Sequence, residues 1–410
     1  MLVERIINKV INDGIDIDKL LIVTFTNAAA SEMRQRVLDA IYKRLEEEPQ
    51  NQILQRQINL LNRSSICTID SFCLEVIKNN FYELDNLSPN FRIADTTEIE
   101  LLKQEVLEDI FDKKYELDDN NFSCLINTYT SYKDDTPLKN LVLNIYSYIQ
   151  SNPFPKKWLS QKIEMFNIKE YSNRDFALTP WGKELLKQVD EELVDAINSL
   201  EEVLKDLVYD KELENFAKTI RSDINNLREL KNNLDNWDRA YMINQNLTFV
   251  TWPRQKVESI KKDIAKQVRD DVKKKLKKVL DKILIYDSRQ ANQDIYDMYD
   301  ILLKLEELIL EFDKEYIKRK RERNIVDFND IEHFALDILL KEDNGKIIPT
   351  EVAKKYQEKY QEIAIDEYQD SNLVQEYILT SVSKGNNVFM VGDVKQSIYK
   401  FRQARPQLFI

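Results

Sequence analysis

Residues 362 to 367 read EIAIDE, a short aliphatic run that ends abruptly in two carboxylates. A strand with one face in water alternates apolar and polar residues. Ile363, Ala364 and Ile365 do not alternate, so both faces of this segment need cover. Strands of that kind belong to parallel sheets flanked by helices, and such sheets place ligands outside the carboxyl ends of their strands. Asp366 and Glu367 are expected at that edge.

Three further segments carry strand character: the β-branched runs LLIVTF (20 to 25) and SICTI (65 to 69), and the apolar run in NVFMVGD (387 to 393). They are separated by helical patterns such as AAASEMRQRVLDAIYKRLEEE, in which Met33, Val37, Ile41 and Leu45 share one face. Strand and helix in alternation predict an α/β fold with a parallel sheet. From 96 to 320 the strand signals fade, and charged stretches with apolar residues at spacings of three and four take over, as in ELLKQEVLEDIF and VRDDVKKKLKKVLDKIL. The expected organisation is therefore a discontinuous α/β domain, 1–95 and 321–410, with an all-helical insertion at 96–320. Breaks near Pro153 and Pro155, at Pro180-Trp181-Gly182 and at Trp252-Pro253 punctuate that insertion.

Composition narrows the function. The chain has 410 residues, 43% hydrophobic and 32% charged, which fits a helix-rich soluble protein of two or three domains. It contains no apolar run of about 18 residues, and MLVERIINKV reads as an amphipathic helix rather than a signal peptide, so a cytoplasmic protein without a membrane partner is expected. One histidine, His333, and three cysteines without a CxxC pair make a zinc site or a histidine triad hard to assemble. A net charge of -12 argues against a surface that is basic throughout and leaves room for a local basic groove.

The chemistry concentrates at the strand ends. Asp366 suits one carboxylate contact to a phosphate-bound Mg²⁺, and Glu367 suits orientation and deprotonation of an attacking water. In NVFMVGDVKQSIYKFRQA, Gly392 permits a close turn before Asp393, and Gln396 is a neutral group able to touch a phosphate oxygen and a water. Tyr399, Phe401 and Arg402 bring aromatics and a cation together, as in a base-stacking platform, although an aromatic pair also serves as ordinary core. In VTFTNAAASEM, Thr26 and Asn27 precede a small-residue helix start; in ICTIDSFCLEVI, Thr68, Asp70 and Ser71 do the same. Both are phosphate-contact chemistry, and both are equally helix caps.

In the order TFTNAAASEM, TIDSFC, DEYQDSN and GDVKQSIYKFRQA, these segments resemble the motifs of the UvrD/RecB-like helicase superfamily. Within it they are similar to the helicase/nuclease AddA group, as are NNFYELDNLSPNFRIADTTEIELLKQEV and NIVDFNDIEHFALDIL. Asp70 departs from the pattern, which has His between Thr-Ile and Ser-Phe. The resemblance implies a RecA-like P-loop fold and an ATP- and Mg²⁺-dependent 3′-to-5′ DNA helicase with nuclease activity. Such an enzyme acts on single-stranded DNA and duplex ends together with a second helicase-nuclease chain, AddB, in double-strand break repair. It makes Glu367 and Gln396 catalytic, places Asp366, Gln369 and Asp393 at the nucleotide with Asp366 on the metal, and gives DNA contacts to Thr26, Asn27, Thr68, Ser71, Tyr399, Phe401 and Arg402. In relatives a GxGKT-type loop leads into a helix similar to LVERIINKV. The expectation is thus of a fragment that begins just after that loop, lacks the strand before it, and stops before the second RecA-like domain, its arginine fingers and the nuclease. A UvrD-like repair helicase without a nuclease and a non-catalytic single-strand-binding module are the alternatives.

Overall fold

The computed structural model describes residues 2–84, 87–131, 134–393 and 395. Four strands, β1 (Leu20–Thr24), β2 (Ser65–Thr68), β3 (Glu362–Ile365) and β4 (Val388–Met390), form one parallel sheet in the order β2-β1-β3-β4. Every residue of β1 and β3 is buried. Because side chains alternate, each strand feeds two cores. Leu20, Ile22, Ile66 and Ala364 face one, which is closed by α1 (Leu2–Ile11) through Leu2, Ile6 and Val10 and by α2 (Asn27–Glu47) through Met33, Val37 and Ile41. Leu21, Val23, Ile363 and Ile365 face the other, with Phe72, Val76 and Ile77 of α3 (Ile69–Asn80). Each such aliphatic side chain contributes about 1.5–3 kcal/mol on full burial, so the two layers need the whole unalternated strand.

Two compact units result, residues 1–161 with 304–410, and residues 162–303. The helices at 96–161 group with the sheet because the chain ties them there. Strand Arg92–Ile93 pairs in parallel with Ile325–Val326. Tyr146 packs edge-on against Phe312 and Tyr316, and Arg319 pairs with Glu105 and Asp109. The second unit has no strand among its described residues. Its core is built on α4 (Pro180–Val208), α5 (Glu214–Lys231) and α6 (Ile260–Ile283), with Val189, Leu193, Phe216, Ile220 and Leu276 buried. Pro180 starts α4, where a missing N–H costs nothing, and Thr179 caps it by accepting from the Gly182 N–H. Inside this unit Arg269 and Asp223 form a buried pair at 2.5 Å, and Asp223 also accepts from the Val250 N–H at 2.9 Å, clipping the segment at 247–259 onto α5 and α6.

The opening helix is held to the sheet by one bidentate contact. Arg5 donates from Nε (2.7 Å) and Nη2 (2.9 Å) to both oxygens of Glu362, which is only 8% exposed, while its guanidinium lies 4.2 Å from the Phe389 ring centre. Arg5→Ala strands that carboxylate, with only Lys9 at 3.7 Å in reserve. The variant should lose about 1–3 kcal/mol of unfolding free energy, read as a lower urea midpoint at unchanged slope. Arg36→Ala, which removes an exposed pair with Glu32, should leave the midpoint in place.

Candidate active site

All four strands run the same way, so their exits gather at one edge. β1 leads to Phe25, Thr26 and Asn27; β2 to Ser71 in the first turn of α3; β3 to Asp366 and Glu367; β4 to Gly392 and Asp393. Backbone hydrogen bonds knit these exits together. The Asp366 N–H donates to the Val23 carbonyl at 2.9 Å, the Val391 N–H to the Ile365 carbonyl at 2.8 Å, and the Tyr368 N–H to the Val391 carbonyl at 2.9 Å.

Thr26 caps α2 by accepting from the Ala29 N–H at 3.1 Å. Thr68 caps α3, accepting from the Ser71 N–H at 3.3 Å and lying 2.9 Å from the Ser71 hydroxyl. Thr26, Asn27 and Ser71 stay exposed, whereas Thr68 is buried. The capping chemistry is therefore present, and it leaves three polar side chains at the open edge.

Asp366 is half-buried, and its carboxyl is pushed above the ordinary range by burial and then by the neighbouring Glu367 charge. A cation beside it would offset that cost by direct attraction, and a single hard-oxygen ligand at a strand exit is the kind of contact made to Mg²⁺ carried by phosphate. No group of three or more His, Cys, Asp or Glu able to hold a metal occurs among the described residues. Glu367 is exposed and left-handed, with φ 52 and ψ 40, a conformation that costs a non-glycine residue about 1–2 kcal/mol. Its carboxylate accepts from the Gln369 amide at 2.6 Å. Gln369 is buried, and its own amide oxygen accepts from the Asp393 N–H at 2.9 Å. Asp393 is exposed, and its carboxylate accepts from the Lys395 N–H at 2.9 Å. Gln396, Tyr399, Phe401 and Arg402 lie outside the described residues.

A cavity of about 430 Å³ opens beside the DEYQD turn, lined among others by Phe25, Asp70, Phe328, Glu332, Asp370 and Gln375. Phe25, Phe328 and Glu332 were not singled out in the sequence. The signal was available for Phe25, which directly follows β1, and absent for Glu332, whose place depends on how α7 (Phe328–Leu339) packs against α3 and α8 (Leu373–Ser381).

Residues 1–410 match the UvrD/REP helicase N-terminal domain. The chain belongs to that family. Its curated relatives include the ATP-dependent helicase/nuclease AddA of Clostridium beijerinckii, 46% identical over 426 residues, and that of Clostridioides difficile, 44% identical over 426 residues. The protein of the same description from Acetivibrio thermocellus is 43% identical over 427 residues. Each alignment covers 100% of this chain and 33–34% of the relative, so the UvrD/REP domain described here spans about a third of their length. No helix among the described residues is long and apolar enough to cross a membrane.

Within this helicase domain Glu332 carries a testable electrostatic load. Burial first, and the Asp70 charge after it, push its carboxyl to about 7, against the hydrogen bond it accepts from Gln375 at 2.8 Å. A raised folded value means stability that is complete below the ordinary carboxylate range and is lost as pH rises through about 7. Glu332→Gln keeps an acceptor for Gln375 and removes the ionisation. It should match the parent near pH 4 and become the more stable protein toward pH 8, by up to about 3 kcal/mol, in urea titrations across that range.

Proposed function

We propose that the chain supplies the nucleotide- and DNA-handling face of an ATP-dependent 3′-to-5′ DNA helicase/nuclease of the AddA type. The observation that carries this reading is the Asp366–Glu367 pair at the shared exit of a parallel sheet, set beside the exposed Thr26, Asn27 and Ser71. The relatives' description as ATP-dependent helicase/nuclease agrees with it. In this reading the sheet is RecA-like. β1 and β3 have neighbours on both sides, while β2 and β4 each have one among the described residues, so either edge has room for the further parallel strand that precedes a phosphate loop in this reading. The domains are assigned as the RecA-like parts at 1–95 and 321–410 and a helical accessory region at 96–320, of which 162–303 is a compact unit of its own. The protein works in the cytoplasm on single-stranded DNA and duplex ends, with the helicase-nuclease chain AddB as partner.

Asp366 holds Mg²⁺, which when bound neutralises charge on the phosphate oxygens. Glu367 orients the attacking water and takes its proton, while Asp393 lies at the nucleotide edge. Gln396 joins Glu367 as the second catalytic group in this assignment. Thr26, Asn27 and Ser71 track the DNA backbone from two helix starts, with the buried Thr68 seating Ser71 rather than touching DNA itself, and Tyr399, Phe401 and Arg402 join them as stacking and cationic groups.

In the full-length protein Glu367→Gln should bind ATP as the parent does and lose DNA-stimulated hydrolysis, since the amide keeps the shape and cannot accept the proton. Asp366→Ala should instead weaken Mg²⁺-nucleotide binding. Nucleotide titration and phosphate release read the two separately, and parental behaviour in both would sink the assignment.

The accessory unit has its own observation. Lys273, Lys274, Lys277 and Lys278 are exposed on α6, away from the buried Val272, Leu276 and Leu280, while Lys275 pairs with Glu192 at 2.7 Å. We assign this face to duplex backbone. Reversing Lys274, Lys277 and Lys278 to Glu should weaken duplex binding and flatten its log–log salt dependence by about one for each phosphate no longer neutralised.

A further inference from the structure

We propose that Gln369 is a positioning residue for hydrolysis, seating the Glu367 carboxylate and fastening that seat to the backbone at the exit of β4. The proposal rests on the reading of Glu367 as the base. It gives Gln369 a place behind the base rather than on the nucleotide.

The geometry is specific. Gln369 is 1% exposed, so its amide must be satisfied within the protein. Nε2 donates to Glu367 Oε2 at 2.6 Å, and Oε1 accepts from the Asp393 N–H at 2.9 Å. One partner can only accept and the other can only donate, so a single orientation of the amide serves both. The opposite flip would set oxygen against carboxylate and NH₂ against N–H.

Glu367 needs such a hold. Its side chain is exposed, and its backbone sits in the left-handed region, kept there by the turn in which the Asp370 N–H donates to the Glu367 carbonyl at 2.9 Å. With Oε2 engaged by Gln369, the rotation of the carboxylate is restrained, and Oε1, which has no partner among the described residues, is left for water. A neutral donor does this without adding charge beside Asp366.

Gly392 supplies an independent observation. A Cβ built there would stand 2.3 Å from Gln369 Oε1, and 3.3 Å from the backbone nitrogens of Tyr368 and Gln369. The missing side chain is the space that the amide occupies. Its backbone is not among the positive-φ positions, so close approach to the amide is the constraint that favours glycine here. The β4 exit therefore feels the base directly: any displacement of Gly392–Asp393 moves the amide that holds Glu367.

The test is a double-mutant cycle in the full-length protein, read by single-turnover ATP hydrolysis and by nucleotide binding. Gln369→Leu should lower the hydrolysis rate about tenfold or more, the scale expected for a misplaced catalytic group, and leave ATP affinity within about twofold. Gly392→Ala, which pushes the amide out of its seat, should reproduce that split. On a Glu367→Gln background, Gln369→Leu should change the residual rate by no more than about twofold, because its only route to the chemistry is gone. A Gln369→Leu variant that weakens ATP binding as much as it slows hydrolysis overturns the proposal, as does a full further loss on the Glu367→Gln background. If Glu367→Gln alone hydrolyses like the parent, the assignment of the base has failed, and this inference falls with it.

Discussion

The burial of β1 and β3 on both faces and both edges is the constraint on which the rest of the first unit depends. Leu21 and Val23 turn into one core while Leu20 and Ile22 turn into the other, and Ile363, Ala364 and Ile365 repeat the division one strand over. Neither strand can slip by one residue without moving every side chain to the opposite layer. That fixed register holds Thr24 level with Thr68, and Val23 level with Ile365. The polar residues that follow are therefore delivered to one edge together by the packing of the strands, and the hydrogen bonds among the exits then hold them there.

At that edge the protein accepts unfavourable local conformation and charge. Glu367 is left-handed, and Asp366 carries a raised carboxyl because burial and the adjacent Glu367 oppose its ionisation. Such strain persists only where surroundings over-determine it. Here the surroundings are the Tyr368–Asp370 turn, the Tyr368 hydroxyl donating to Glu376, and the Gln369 amide between Glu367 and Asp393. The same region holds the buried Glu332, so a second carboxyl with a raised value accompanies the half-buried Asp366. Perturbed carboxyls gathered at a sheet exit are the electrostatic pattern of a functional site, in line with the function proposed for it.

Charge is likewise local. With 60 basic and 72 acidic residues the chain repels a polyanion on average, yet the exposed lysines of α6 share one helix. Elsewhere basic side chains are spent internally, as in Arg5 on Glu362 and Arg269 on Asp223, so net charge says little about where nucleic acid could lie.

Much of this was legible before any coordinates. Apolar or β-branched runs at 20–25, 65–69, 362–367 and 387–393 announced parallel strands, and the strands lie at 20–24, 65–68, 362–365 and 388–390; the last, at the sheet edge, is only half-buried, with Met390 exposed. The sequence by itself determined where the four strands of the main sheet lie and that Asp366 and Glu367 stand at a strand exit, because these follow from side-chain periodicity along a single segment; the short strands Arg92–Ile93, Ile325–Val326, Leu340–Asp343 and Lys346–Pro349 depend on their pairing partners and were not legible in it. It could not determine that the helices at 96–161 group with the sheet, since rings such as Tyr146 and Phe312 meet across more than a hundred residues. Nor could it place Gln369. As one letter in DEYQD it reads as a surface polar residue near phosphate; the tertiary structure alone decides that it is buried and turned toward Glu367, because Gly392, 23 positions further on, leaves the space for its amide.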